Sequence, residues 1–340
     1  MHHLRPRART TDCARAVCAM AVVIGGLVAG TILVAACSSG PDPVPATGHV
    51  YVTNQLDNTV SVIDARTNKV TATMPAGNAP VGIAVTAHGR RLYVADNMAG
   101  RVSIVDTRSQ KIVAAVRVGK KPTDVQLTPN GHSLYVANGG SNTVSVINTK
   151  TDRGVATIRV GVSPLSLAVS RDGRTVYAAN AGSNTISAID TGTHRVVRTL
   201  PAGSRPVSIA VTKDGQTAYV ANEVTATVTA VNIRQPKISA QIPVGQGVFN
   251  VALAPDGKRV YAAVLGPGHI VVIDTNTHHT SDTVSIGPPG TDPFTIQATA
   301  AAVYVTNQGS DTVTVIDPTS LHIVATVPVG DSPYSLAASH

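Results

Sequence analysis

From Gly48 onward the chain is written in short apolar runs broken by small polar clusters. Arg205 to Gln246 shows the unit. "PVSIAVT" starts at Pro206, "KDG" follows as a turn, and then come "TAYVAN", "ATVTAVN" and "KISAQIPVG". Val, Ile, Thr and Tyr dominate these runs, as suits a pleated, half-buried surface. None is long enough for a globular helix, and no 3.6-residue periodicity appears. The pattern predicts four short strands per unit, with Gly215 taking up the turn conformation after the first.

The unit recurs. Tyr51, Tyr93, Tyr135, Tyr177, Tyr219, Tyr261 and Tyr304 are spaced by 42 residues, except for one spacing of 43, and account for seven of the eight tyrosines. Each opens a variant of "YVTNQLDNTVSVID", the phrase at Tyr51–Asp64. A fixed period of this length with four strands per repeat is the arithmetic of a propeller blade, not of a helical solenoid. The last repeat stops after "SPYSLAASH", just as a new first strand begins, and the chain opens on a second strand, "GHVYVTN". Pro333–Ser339 is therefore expected to pair with His49–Asn54, so that one blade is shared by both ends and the ring closes. The expected fold is an all-β, seven-bladed propeller of four-stranded antiparallel blades over residues 48–340.

The phrases "YVTN", "YVAN" and "VSVID" at this spacing resemble the YVTN-repeat β-propeller family, across nearly the whole of that region. The resemblance implies the fold directly. It leaves function open, because such propellers include cell-surface proteins without assigned chemistry, and more distant seven-bladed ones include lactonases and quinone- or haem-associated dehydrogenases.

The first 36 residues carry a different pattern. Arg5, Arg7, Arg9 and Arg15 precede an apolar run from Ala19 to Ala36, and "VAAC" ends at Cys37. This is the layout of a secretory signal. Its end resembles a bacterial lipobox, which implies cleavage before Cys37 and a lipid on its thiol, with residues 37–47 as a flexible linker. The run is also just long enough to span a membrane, but a cysteine at the cut and the polar "SSGPDPVPAT" after it favour the lipoprotein. Either way the arginines stay inside and the rest lies outside. No cysteine follows Cys37, so the exported domain has no disulfide and must rest on its core.

Composition changes this little. The formal charge of +8 includes Arg5, Arg7, Arg9, Arg15 and Asp12 of the leader, and the +5 left without them reads as a mildly basic soluble surface. No basic stripe with interleaved aromatics appears, and a nucleic-acid partner is not expected. No HExxH, GxSxG, Walker loop or CxxC occurs, so no metal or cofactor is expected either. The recurrent asparagine (Asn54, Asn138, Asn180, Asn222, Asn307) and the aspartates Asp64, Asp106, Asp190, Asp274 and Asp317 read as turn-holding residues.

Departures from the repeat carry more. At the second position of the first strand stand Val81, Thr123, Leu165, Val207, Phe249, Phe294 and Tyr334, so three neighbouring blades place an aromatic at one site. The next position, which includes Asp124 and Asn250, is small or polar in every blade and should line the channel. Glu223 is the only glutamate, His269 is the one histidine placed near this face, and the loop before Pro293, which includes Asp292, is longer than its equivalents. Lys121 and Arg205 add positive charge on the same face, which would attract an anionic ligand. The reading is a monomeric binding scaffold, lipid-anchored outside the cytoplasm, that meets an envelope protein or a small ligand at the channel mouth. The alternative is a hydrolase or lactonase-like enzyme using Asp124, Glu223, Asn250, His269 and Asp292 there.

Overall fold

The computed structural model describes residues 48–339. Within them the strands form seven antiparallel sheets of four, and no helix is present. The innermost strand of each blade is Pro80–Val85, Pro122–Leu127, Pro164–Val169, Pro206–Val211, Val248–Leu253, Pro293–Ala298 or Pro333–Ala338. The last of these sits beside His49–Asn54, with Val50 opposite Ala338 and Val52 opposite Leu336, and the ring closes as the repeat count requires. That shared sheet is blade 1, and blades 2 to 7 follow in chain order from Pro80. The chain turns from strand four of one blade into strand one of the next on the upper face. Gly48 and Ser339 lie together on the lower face, where the Ser339 amide donates to the His49 carbonyl at 2.9 Å.

Second and third strands are buried except at their ends, because both of their faces meet another blade. This is why they read as near-continuous apolar runs. Adjacent blades share each core cluster: Tyr177, Ala179 and Ile186 of blade 4 pack with Ile209, Ala218 and Val220 of blade 5. The repeated tyrosine is fully enclosed in these seams, as at Tyr93, Tyr135, Tyr219, Tyr261 and Tyr304.

The repeated asparagine is a latch. Asn54 Nδ2 donates to Thr59 Oγ1 and Ser61 Oγ, both at 2.9 Å, and Asn138, Asn180 and Asn307 repeat this on their own third strands. Above most of them a glycine of the incoming loop closes down so far that a Cβ on Gly330, Gly119 or Gly161 would stand within 2.7 Å of the side chain of Asn54, Asn138 or Asn180, and Gly203 does the same above Asn222. Asn and Gly therefore recur together. The repeated aspartates hold their turns: Asp64 Oδ1 accepts from the Arg66 and Thr67 amides, and these bonds hold its carboxyl below the usual carboxylate range.

Blade 2 rewrites the latch. Asp96 replaces Asn, Arg101 replaces Thr, and the two form an ion pair at 2.8 Å in which the carboxylate is wholly buried. Burial raises the Asp96 pKa against the opposing pull of Arg101 and Ser103. Removing one partner of such a pair strands a buried charge. Arg101→Thr alone should cost roughly 3 kcal/mol, and adding Asp96→Asn, which restores the pattern of the sister blades, should recover most of it. Urea denaturation of the single and double variants checks this, and additive losses would refute the pairing argument.

Candidate functional site

The first strand of every blade is an inner edge. Half of its backbone groups face the channel, where no further strand exists, and they need partners. Each first strand also carries one extra residue relative to its second strand, for example between Pro164 and Ser166, or Val248 and Asn250. Such a bulge re-aims the side chains beside it, and here it brings the third-position side chain to the neighbouring blade. The Leu167 amide donates to Asp124 Oδ2 at 2.8 Å, the Val251 amide to Ser208 Oγ at 3.2 Å, and the Ile296 amide to Asn250 Oδ1 at 3.0 Å. Asn250 Nδ2 also donates back to Ser208 Oγ at 3.1 Å. These side chains staple blade to blade around the channel.

Blade 2 offers Gly82 at the stapling position, because a Cβ there would stand 2.7 Å from the Asp124 Cα. Without a side chain on Gly82, the Val125 amide turns instead to Asp124 Oδ1 at 2.8 Å. Asp124 thus serves two backbone amides, one on its own blade and one on the next. Burial outweighs these bonds and raises its pKa from 3.8 to about 6.

The three aromatics meet. Phe249 and Phe294 stack with centroids 4.0 Å apart, and Phe294 meets Tyr334 at 4.5 Å, tilted by 58°. Phe294 is buried behind the other two. Phe249 and Tyr334 face the channel, a cavity of about 480 Å³ that Asp124, Asn250, Gln126 and Gln297 also line. Tyr334 packs against the cluster that holds Val81 and Val125. Burial, with a smaller contribution from the Asp124 charge, pushes its hydroxyl up to about 12.

The remaining candidates stay apart. Glu223 forms an ion pair with Arg205 at 3.2 Å on the rim, so that arginine already has a counter-charge. Lys121 is exposed and has no ion-pair partner among the described residues. Lys121, Arg205 and Asp292 occupy one repeated loop position with φ of 48°, 54° and 51°, where their carbonyls receive the Gly139, Glu223 and Gln308 amides. Asp292 Oδ1 accepts from the Gly266 amide at 3.1 Å, which pins the lengthened loop to the turn after the second strand of blade 6. His269 opens a third strand opposite Val264, two strands out from the channel. No hydrogen bond joins any two of Glu223, Asn250, His269 and Asp292. No group of three or more His, Cys, Asp or Glu stands together among the described residues. Cys37 lies outside the described residues.

The structure adds a feature that sequence reading missed. Leu56, Met98, Val162 and Val224 are 50–72% exposed in upper-face turns and loops. The other exposed large apolar side chains lie on outer fourth strands, such as Val113 and Val197, and none lies in a lower-face turn among the described residues. Leu56, Met98 and Val224 share one turn position with Gly140, Gly182, Gly266 and Gly309, so aligning the repeats would have revealed them.

Because folding raises the Asp124 pKa, its contribution to stability is complete below about pH 4 and is lost as pH rises through about 6. Between pH 7 and pH 4 the wild type should therefore gain roughly 2–3 kcal/mol relative to Asp124→Asn. Paired denaturation curves at the two pH values measure this, and a difference that does not move with pH would remove the titration from Asp124.

A family model described as YNCE-like beta-propeller matches residues 34–126 and 166–259, more than half of the chain. The PE-PGRS family protein PE_PGRS18 of Mycobacterium tuberculosis is 59% identical over 39 residues, 12% of this chain, and the chain spans only 8% of that protein. Among solved structures, a functionally unknown protein from Desulfotomaculum acetoxidans aligns with a TM-score of 0.72 and 18% identity, covering 86% of this chain and 99% of that one. Kuenenia stuttgartiensis hydrazine synthase aligns with a TM-score of 0.66 and 22% identity over 74% of this chain and 87% of its own. Dihydro-heme d1 dehydrogenase NirN in complex with DHE aligns with a TM-score of 0.67 and 16% identity over 88% and 77%. At these identities the likeness to the solved structures is one of fold. With the seven closed blades and the match to the family model, the chain belongs to the YNCE-like β-propeller family.

Proposed function

We propose that this propeller is a binding scaffold, held outside the cytoplasm by a lipid on Cys37, that engages its partner or ligand through the upper face and the channel mouth. The observation that carries the reading is the asymmetry of the two faces. One face exposes Leu56, Met98, Val162 and Val224 around a mouth walled by Phe249 and Tyr334, while the turns of the other expose no large apolar side chain among the described residues. Exposed apolar side chains gathered on one face, around a concave site with a few polar groups, are what a docking surface offers. The basic, apolar and "VAAC" layout supports the anchor. Two or more acyl chains would make that anchorage stable.

An enzymatic use of the same mouth has less support. Two of the solved structures of similar fold are enzymes, but of the groups proposed for catalysis only Asp124 and Asn250 line the channel, while Glu223, His269 and Asp292 do not. General acid–base work needs such groups within hydrogen-bond reach of one reacting atom.

The scaffold reading predicts that Leu56→Ser, Met98→Ser and Val224→Ser together reduce specific partner capture from membrane extracts at least tenfold, with an unchanged melting temperature. Arg91→Ala, Arg174→Ala and Arg259→Ala on the lower face should leave capture intact. The reverse pattern would assign the work to the lower face. Mass spectrometry of the N-terminus tests the anchor: an unmodified Cys37 still joined to Ala36 would rule it out.

A further inference from the structure

The channel wall has an uneven chemistry. Among the described residues that line it, Asp124 alone carries a charged side chain, and Tyr334 is the only other titratable one. No ion pair joins Asp124 to a cation among the described residues. Its backbone hydrogen bonds come from the Val125 and Leu167 amides, one to each oxygen. The Gln126 and Ser166 side chains also support it, and all four partners are neutral, so the carboxylate's charge is hydrogen-bonded but not balanced. On other blades of the same cavity stand the rings of Phe249 and Tyr334, backed by Phe294 in the stacked cluster. A carboxylate without a counter-ion and a bank of aromatic rings have one preference in common. Both attract positive charge, the carboxylate directly and the rings through their electron-rich faces.

A hard divalent ion is a poor match, since it wants six or more oxygen ligands and no second carboxylate lines the channel among the described residues. An anion would meet only the carboxylate's repulsion inside the channel, because Lys121 and Arg205 stand out on the rim, and Arg205 is paired there with Glu223. A cation with an apolar surface suits the whole wall. Its charge can sit beside the carboxylate, its alkyl groups can lie on the rings, and Gln126, Gln297 and Asn250 can serve a polar tail.

We propose that the channel binds a small organic monocation of the alkylammonium class, with its head between the Asp124 carboxylate and the ring wall of Phe249 and Tyr334. This rests on the channel mouth being the working site, and it names the ligand chemistry. A cavity of about 480 Å³ accommodates a molecule of that size.

The test is calorimetric titration of the full chain with choline, with n-butylammonium and with 3,3-dimethyl-1-butanol, the uncharged isostere of choline. The cations should bind at pH 8 and the alcohol should not. Affinity for the cations should fall at least fivefold at pH 5, where Asp124 is mostly protonated. Asp124→Asn should weaken cation binding at least tenfold, and Phe249→Val severalfold in a variant that stays folded at the titration temperature. If the Asn variant fails to fold, Phe249→Val carries the test. Absence of binding by both cations to folded wild type, equal binding of the alcohol, or full affinity in Asp124→Asn or Phe249→Val would each overturn the proposal. Partner capture that stays sensitive to Leu56, Met98 and Val224 while both cations fail would overturn the ligand chemistry and leave the scaffold reading standing.

Discussion

Seven sheets packed face to face around an axis, each with one edge toward it, leave their innermost strands without a next strand to pair with, and the rest of the architecture answers that constraint. The bulge in every first strand, the small polar residue at its third position and the hydrogen bonds to the next blade all serve backbone amides that would otherwise face the channel unpaired. Each such bond contributes about 0.5–1.5 kcal/mol net, and more where the acceptor is charged. Their larger effect is to fix each blade against its neighbour. This is also why the channel is polar, and why an ionisable side chain can sit on its wall at all.

The fold was legible because one solution is repeated. The Tyr and Asn of each phrase occupy the same seam and the same latch in blade after blade, so a period of 42 residues translates directly into geometry. Closure was legible for a related reason: a repeat cut at both ends has only one way to complete its fourth strand. Departures from the repeat were informative where they shared one register. Phe249, Phe294 and Tyr334 read as neighbours because they hold equivalent positions in adjacent blades, and their rings do meet.

What stayed hidden depends on side-chain direction and on partners outside the register. Glu223 and Arg205 stood out separately in the sequence, yet their pairing follows from a contact between two loops of one blade. Asp124 read as one polar residue among several. Its double duty follows from the missing side chain of Gly82 on the blade before it, a relation between blades that a single aligned column does not display. His269 was placed on the correct face but not at a distance from the axis, because position along a strand fixes height and says nothing of which strand borders the channel.

With Cys37 lipidated as proposed, the seam where the ring closes would also set an orientation. The chain enters the propeller at Gly48 and leaves it at Ser339, side by side on the lower face. A tether running from Cys37 to Gly48 would pull on that face and turn the opposite one outward, away from the bilayer. The exposed side chains of Leu56, Met98, Val162 and Val224 would then look into the surrounding space. A strain transmitted along such a tether would fall first on the ladder between His49–Asn54 and Pro333–Ala338, the one place where opening the ring breaks no covalent link between blades.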